Sequence, residues 1–241
     1  MKSPAGVKNA LRLAGRGAAG LLLAALLVVL AIQFWYFAHV LYWSGYPPTS
    51  TSFMQARLES LRLKDPKAAL AHQWTDYPKI SVHLKRAIIV AEDAKFIDHE
   101  GFDWEGIQRA MDRNQRAGKA VAGGSTITQQ LAKNLFLSGS RSLVRKAQEA
   151  VIAAMLEAVM DKRRIFEIYM NVVEWGESTF GAEAAARHYF GVSASQLSAE
   201  QAARLAAMLP RPSYYDRNRG SAYLEKYAAT ILSRMPGAQV P

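Results

Sequence analysis

Cysteine is absent from the 241 residues. That excludes disulfide staples, cysteine nucleophiles and thiolate metal sites. It leaves the compartment open, because a cysteine-free chain is stable in an oxidising space without help. Acidic residues are scarce beside basic ones. The 20 Asp and Glu against 30 Lys and Arg give a formal net charge of +10. Such an excess points to an anionic partner: a phosphate-bearing lipid, a membrane surface or nucleic acid. No internal repeat or low-complexity tract stands out, and strands are hard to find.

Full charge is also missing from residues 17–43, which include Gly20-Leu-Leu-Leu-Ala-Ala-Leu-Leu-Val-Val-Leu-Ala-Ile32. Roughly 20 apolar residues span a hydrocarbon core, so this run is long enough to cross one. Lys2, Lys8, Arg12 and Arg16 precede it with no acidic residue among them. The positive-inside rule then places residues 1–16 in the cytoplasm and the rest outside. Trp35, Tyr36, Tyr42 and Trp43 gather at the outer end, where amphipathic rings favour the interface. A cleaved signal peptide is the alternative. Its apolar region would be shorter and would end in small residues, whereas this run ends in bulky aromatics.

About 200 residues remain, enough for one domain with a real core. Residues 44–74 mix Pro, Ser and charges and read as a connector with one short helix; residues 75–241 read as the domain. Helical spacing predicts helices over Val82–Lys95, Trp104–Ala117, Thr126–Leu137, Ser142–Met160, Lys162–Asn171, Phe180–Phe190 and Ser198–Leu209. Leu84, Ala87, Ile88 and Ala91 share one face of the first. Thr126 and Gln129 stand at capping-box spacing. The class is mainly α, with room for a small strand or hairpin around residues 96–124. Residues 213–241 carry little pattern beyond Tyr214 and Tyr215.

Three segments carry possible chemistry. Gly123-Gly-Ser-Thr-Ile-Thr-Gln-Gln-Leu-Ala-Lys-Asn134 runs two glycines into a polar helix start. Free N–H groups there would receive an anion, with Lys133 as counter-charge, although a well-capped helix facing water reads the same way. Glu92 and Asp93 lie near a helix C-terminus, where the dipole favours cations. A solvated acidic pair beside Lys95 is the plain alternative. Asp98, His99 and Glu100 suggest a metal cluster, but no second His follows at ligand spacing, so surface or structural roles fit better. Arg145, Lys146 and Glu149 share a helix face, in the weaker order for an ion pair. Together these segments offer a carboxylate to remove a proton and cations to neutralise a departing pyrophosphate.

The same segments resemble a known family in four ordered motifs over roughly residues 75–215. Glu92-Asp-Ala-Lys-Phe-Ile-Asp-His-Glu-Gly101 resembles E-D-x-x-F-x-x-H-x-G, and Ser125-Thr-Ile-Thr-Gln-Gln-Leu-Ala-Lys-Asn134 resembles S-T-I-T-Q-Q-x-x-K-N, with Gly123 at the glycine spacing. Arg145-Lys-Ala-Gln-Glu149 resembles R-K-x-x-E; Lys162-Arg-Arg-Ile-Phe-Glu-Ile-Tyr-Met-Asn171 resembles K-x-x-I-L-E-x-Y-L-N, with Phe166 and Met170 replacing leucines. The family is the peptidoglycan glycosyltransferases (family 51), and Val172-Val-Glu-Trp-Gly176 is similar to its monofunctional biosynthetic members.

The resemblance implies a lysozyme-like helical domain with a small membrane-proximal lobe, preceded by one transmembrane helix. It implies polymerisation of lipid II onto a lipid-linked growing glycan, forming β-1,4 bonds with inversion and releasing undecaprenyl pyrophosphate. Glu92 and Glu149 would be catalytic, Glu92 as general base and Glu149 orienting donor groups or a metal. Ser125, Thr126, Gln129, Gln130, Lys133, Asn134, Arg145 and Lys146 would bind substrate, the cations holding pyrophosphate. Mg2+ or Mn2+ and no organic cofactor are implied. So are a bacterial inner-membrane location with a periplasmic domain, and partners among cell-wall synthesis or division proteins. Nucleic acid is disfavoured, since the charge is spread out and the domain faces the wrong side. No S-x-x-K motif and no K-T-G triplet occurs, which argues against transpeptidase activity. Two rivals remain: a lytic enzyme on the same fold, and a non-catalytic scaffold of the cell-wall machinery.

Overall fold

A computed structural model describes residues 4–118, 123–140 and 142–241. The chain divides into two compact units, Met1–Tyr42 and Trp43–Pro241. Residues 4–42 of the first lie within one long helix, α1 (Pro4–Gly45). Gly15–Gly45 is long and apolar enough to cross a membrane, with a mean hydropathy of 2.4 over an 18-residue stretch. A single-pass membrane anchor fits this helix.

The second unit is mainly α. Thr51 caps α2 (Ser52–Arg62), its side chain accepting from the N–H of Met54. The predicted short helix of the connector is therefore present. It packs on α5 (Ile127–Phe136), so 44–74 shares a compact unit with 75–241. α3 (Val82–Glu92) buries Leu84, Ala87 and Ile88 completely against α9 (Ala199–Met208), and α11 (Ala222–Arg234) closes over both. α5 packs in turn on α6 (Leu143–Val159) and α7 (Lys162–Val172). The core where these layers meet holds Trp175, Tyr169, Phe96 and Phe166, all with no exposed surface. Trp175 is anchored there by an N–H donated to the Leu205 carbonyl, 3.0 Å.

Helix bounds follow the sequence pattern closely, and the departures have causes. The first predicted helix stops at Glu92 rather than Lys95, because Asp93 turns away (φ −162°) and commits its carboxylate to another helix. No strand occurs among the described residues of 96–124: turns lead into α4 (Trp104–Ala117), and residues 119–122 lie outside the described set. The strand pair is elsewhere. β1 (Ala71–His72) runs parallel to β2 (Thr179–Phe180), pairing Ala71 with Thr179 and His72 with Phe180. β2 takes up the start of the predicted Phe180–Phe190 helix, and α8 begins at Ala182 (Ala182–Phe190). Residues 213–241, patternless in sequence, contain most of α10 (Pro212–Arg217) and all of α11.

Candidate active site

The polar start of α5 is a complete capping box. Thr126 accepts from the Gln129 N–H (3.2 Å) and Gln129 returns its side-chain oxygen to the Thr126 N–H (3.1 Å). The Thr126 hydroxyl then donates to the Gly101 carbonyl at 2.7 Å. Gly101 has φ +82°, a left-handed conformation that accounts for glycine closing the first motif. The next N–H, from Ile127, donates to Asp93 Oδ2 at 3.0 Å. The helix start expected to cradle a substrate anion thus already holds one, supplied by the chain itself. A carboxylate at a helix N-terminus meets both the dipole and unpaired N–H groups, so Asp93 is well placed. His99 Nε2 donates to the same carboxylate at 3.0 and 3.1 Å, which makes His99 a partner of Asp93 rather than part of a metal cluster. Thr126 and Gln129 are buried and spend polar groups on the cap. They shape the site instead of offering those groups to a ligand. Asn134, on the same helix, is buried too.

Glu92, one residue before Asp93, has the opposite setting. It ends α3 half-buried; its Oε2 accepts from Gln130 Nε2 at 2.7 Å, and its Oε1 is enclosed without a hydrogen-bond partner among the described residues. Gln130 is steadied by the Tyr169 hydroxyl, which donates to its Oε1 at 3.0 Å. From α11, Tyr227 donates to the Ala91 carbonyl at 3.2 Å, just before Glu92. Burial pushes the Glu92 carboxyl above the usual glutamate range; the Gln130 hydrogen bond and Lys133 pull it partly back, and Asp93 adds to the rise. Such a group gains more from accepting a proton than an exposed glutamate does.

Cations gather beside it. Lys133, half-buried on α5, senses Glu149, Arg145, Glu92 and Lys146. Burial lowers its pKa first, Arg145 and Lys146 lower it further, and the two glutamates oppose them. Glu149 is buried on α6 and gives one oxygen to Arg145 (2.7 Å) and the other to Lys146. Lys146 also donates to the exposed Ser125 hydroxyl at 3.1 Å, tying α6 to the strand of chain before α5. Three cations against two carboxylates leave the cluster short of negative charge, which an incoming anion would supply.

An open cleft of about 260 Å³ runs from Glu92 and Asp93 along Gly123, Gly124 and Ser125 to Lys95, Arg109 and Arg113. Gly124 lets the wall close up, since a Cβ there would stand 3.1 Å from the Ile107 backbone. Trp104, Met111, Leu143 and Val144 remain exposed on α4 and at the start of α6. Of the predicted site residues, Glu92, Gln130, Lys133, Arg145, Lys146, Glu149 and Ser125 form one linked group. A divalent ion would need several oxygen donors. Both Glu149 oxygens are already on cations, and the described residues hold no group of three His or acidic side chains suited to a metal. The described side chains do not by themselves make a metal cage. Sequence reasoning missed three contributors: Asp93 as a helix cap, Tyr169 behind Gln130, and Tyr227 behind Ala91.

Fold and site together define a helical enzyme that sets a half-buried carboxylate beside clustered cations, in a cleft fit for an anionic group. Residues 60–236 match the family described as Transglycosylase. A protein of Methylobacillus flagellatus named biosynthetic peptidoglycan transglycosylase is 61% identical over 222 residues, covering 92% of this chain and 96% of its own. A protein of the same name from Dechloromonas aromatica is 58% identical over 231 residues, 96% of this chain and 100% of its own. Another, from Nitrosospira multiformis, is 59% identical over 214 residues, 89% and 93% respectively. The chain belongs to the transglycosylase family.

Proposed function

We propose that this chain polymerises peptidoglycan glycan strands from lipid II, at the outer face of the bacterial inner membrane. Residues 1–16 lie in the cytoplasm, the α1 apolar stretch spans the bilayer, and the helical domain is periplasmic. The basic N-terminal residues and aromatic exit of the span support that orientation. The observation that carries the reading is the partnerless Glu92 Oε1 beside Lys133, which is itself coupled to Arg145, Lys146 and Glu149.

Glu92 Oε1 takes the proton from the 4-hydroxyl of the acceptor sugar. That oxygen forms a bond to the anomeric carbon of the lipid-linked donor from the face opposite its pyrophosphate. The bond from carbon to pyrophosphate oxygen breaks, its electron pair leaves with undecaprenyl pyrophosphate, and the new linkage is β-1,4. Lys133, Arg145 and Lys146 hold the departing charge, and Glu149 holds two of those cations in place. The leaving group is a good one, so no protonated carboxyl is needed on it, in contrast to glycoside hydrolysis. The chain has no transpeptidase activity, in keeping with the missing S-x-x-K and K-T-G motifs.

The test is a lipid II polymerisation assay on wild type and Glu92→Gln, with moenomycin as inhibitor. Polymer from the wild type and none from folded Glu92→Gln is the expected result. Normal polymerisation by Glu92→Gln would sink the base assignment. Shortening of preformed glycan would instead favour a lytic enzyme.

A further inference from the structure

We propose that Tyr169 is a positioning residue which, through Gln130, anchors Glu92 Oε2 and so leaves Oε1 alone to take the acceptor proton. This rests on Glu92 being the general base of the reading above.

The direction of each hydrogen bond carries the argument. An ionised carboxylate only accepts, so Gln130 must turn its NH2 towards Glu92, at 2.7 Å. The amide oxygen then faces Tyr169, whose hydroxyl must be the donor, at 3.0 Å. One hydroxyl proton thus fixes the amide, and the amide fixes one oxygen of the base. The other oxygen, Oε1, is enclosed with no donor among the described residues, which leaves it the more basic of the two. Tyr169 itself has no exposed surface and packs in the core with Phe166 as a neighbour along α7. A phenylalanine would fill such a position without burying a hydroxyl, and a buried hydroxyl is costly unless it is hydrogen-bonded. Its only hydrogen bond among the described residues goes to Gln130. Burial, then the Glu92 and Asp93 charges, hold its ionisation well above the ordinary tyrosine range, so it remains a donor at working pH.

Removing that hydroxyl frees the amide to reverse. Its oxygen would then face Glu92 and favour the protonated, inactive carboxyl, keeping the base occupied to higher pH. The charges around Glu92 do not change in that exchange. Lys133 faces it from α5 and Asp93 from its own segment, while Tyr227 from α11 is neutral at working pH.

The test is the pH dependence of lipid II polymerisation by the full chain, for wild type, Tyr169→Phe and Gln130→Leu. Tyr169→Phe should move the acid limb up by about half to one pH unit. It should lower kcat about three- to tenfold at neutral pH and change KM less than about twofold. Gln130→Leu should move the same limb in the same direction, and adding Tyr169→Phe to it should cost nothing further. A uniform loss with an unmoved limb, unchanged Tyr169→Phe kinetics, or additive losses in the double variant would overturn the proposal. Should Tyr169→Phe not fold, the Gln130→Leu limb decides alone: unmoved, it overturns the proposal. Glu92→Gln, run alongside, separates the two ideas. If it polymerises normally, the general-base reading fails. If it is dead while the Tyr169→Phe limb stays put, only the positioning role fails.

Discussion

Glu92 and Asp93 are neighbours in the chain with opposite fates. Asp93 is satisfied by the Ile127 N–H and by His99; Glu92 keeps one oxygen without a partner among the described residues. Sequence showed two acidic residues where a helix dipole disfavours them, but not which would be spent on structure. Asp93 meets Ile127 across 34 positions of chain, and no local pattern encodes that contact. The pKa directions give a prediction here. Glu92 is raised by burial, so the rate climbs with pH through a point above the ordinary glutamate value of about 4.3. Lys133 is lowered by burial and by Arg145 and Lys146, so its charge is lost at a pH below the ordinary lysine value of about 10.4. The kcat/KM profile of the wild type should be a bell narrower than those two values would give. A profile as wide as that for free side chains would contradict both directions.

At the scale of elements, what is local was legible and what is long-range was not. The capping box of α5 could be read because Thr126 and Gln129 are three apart, and each capped helix began within a residue or two of expectation. α10 escaped because it is only six residues long, and the packing of α11 is decided by α9 and α3. Spacing does not reveal that Asp93, from another element, already takes the Ile127 N–H at the start of α5. That cap has a measurable worth. Asp93→Ala strips the Ile127 N–H of its partner and leaves His99 Nε2 unpaired in a nearly buried position. It should lower unfolding stability by about 2–4 kcal/mol in urea titration. A loss below about 0.5 kcal/mol would mean that water takes over the cap.

For the whole molecule, composition was informative where it was extreme. The uncharged run and the basic excess pointed to a membrane-bound chain before any fold was known. An anchored enzyme with lipid-linked substrates searches a surface, which raises their effective concentration. Deleting residues 1–42 should therefore reduce polymerisation at least roughly tenfold on lipid II in bilayers, and far less in detergent, where both reactants diffuse freely. Equal losses in the two settings would point to a fold defect instead.

The bond from Tyr227 to the Ala91 carbonyl has a consequence for biosynthesis. The segment that carries Glu92 is braced by a residue made 136 positions after Ala91. During synthesis every motif residue, the last being Asn171, is made before α11, which starts at Ala222. Glu92, Lys133 and Arg145 are all in the chain before α11, yet the support of the segment carrying Glu92 waits for α11 to dock. A product ending before α11 would lack the Tyr227 hydrogen bond to the Ala91 carbonyl and the packing of α11 on α3.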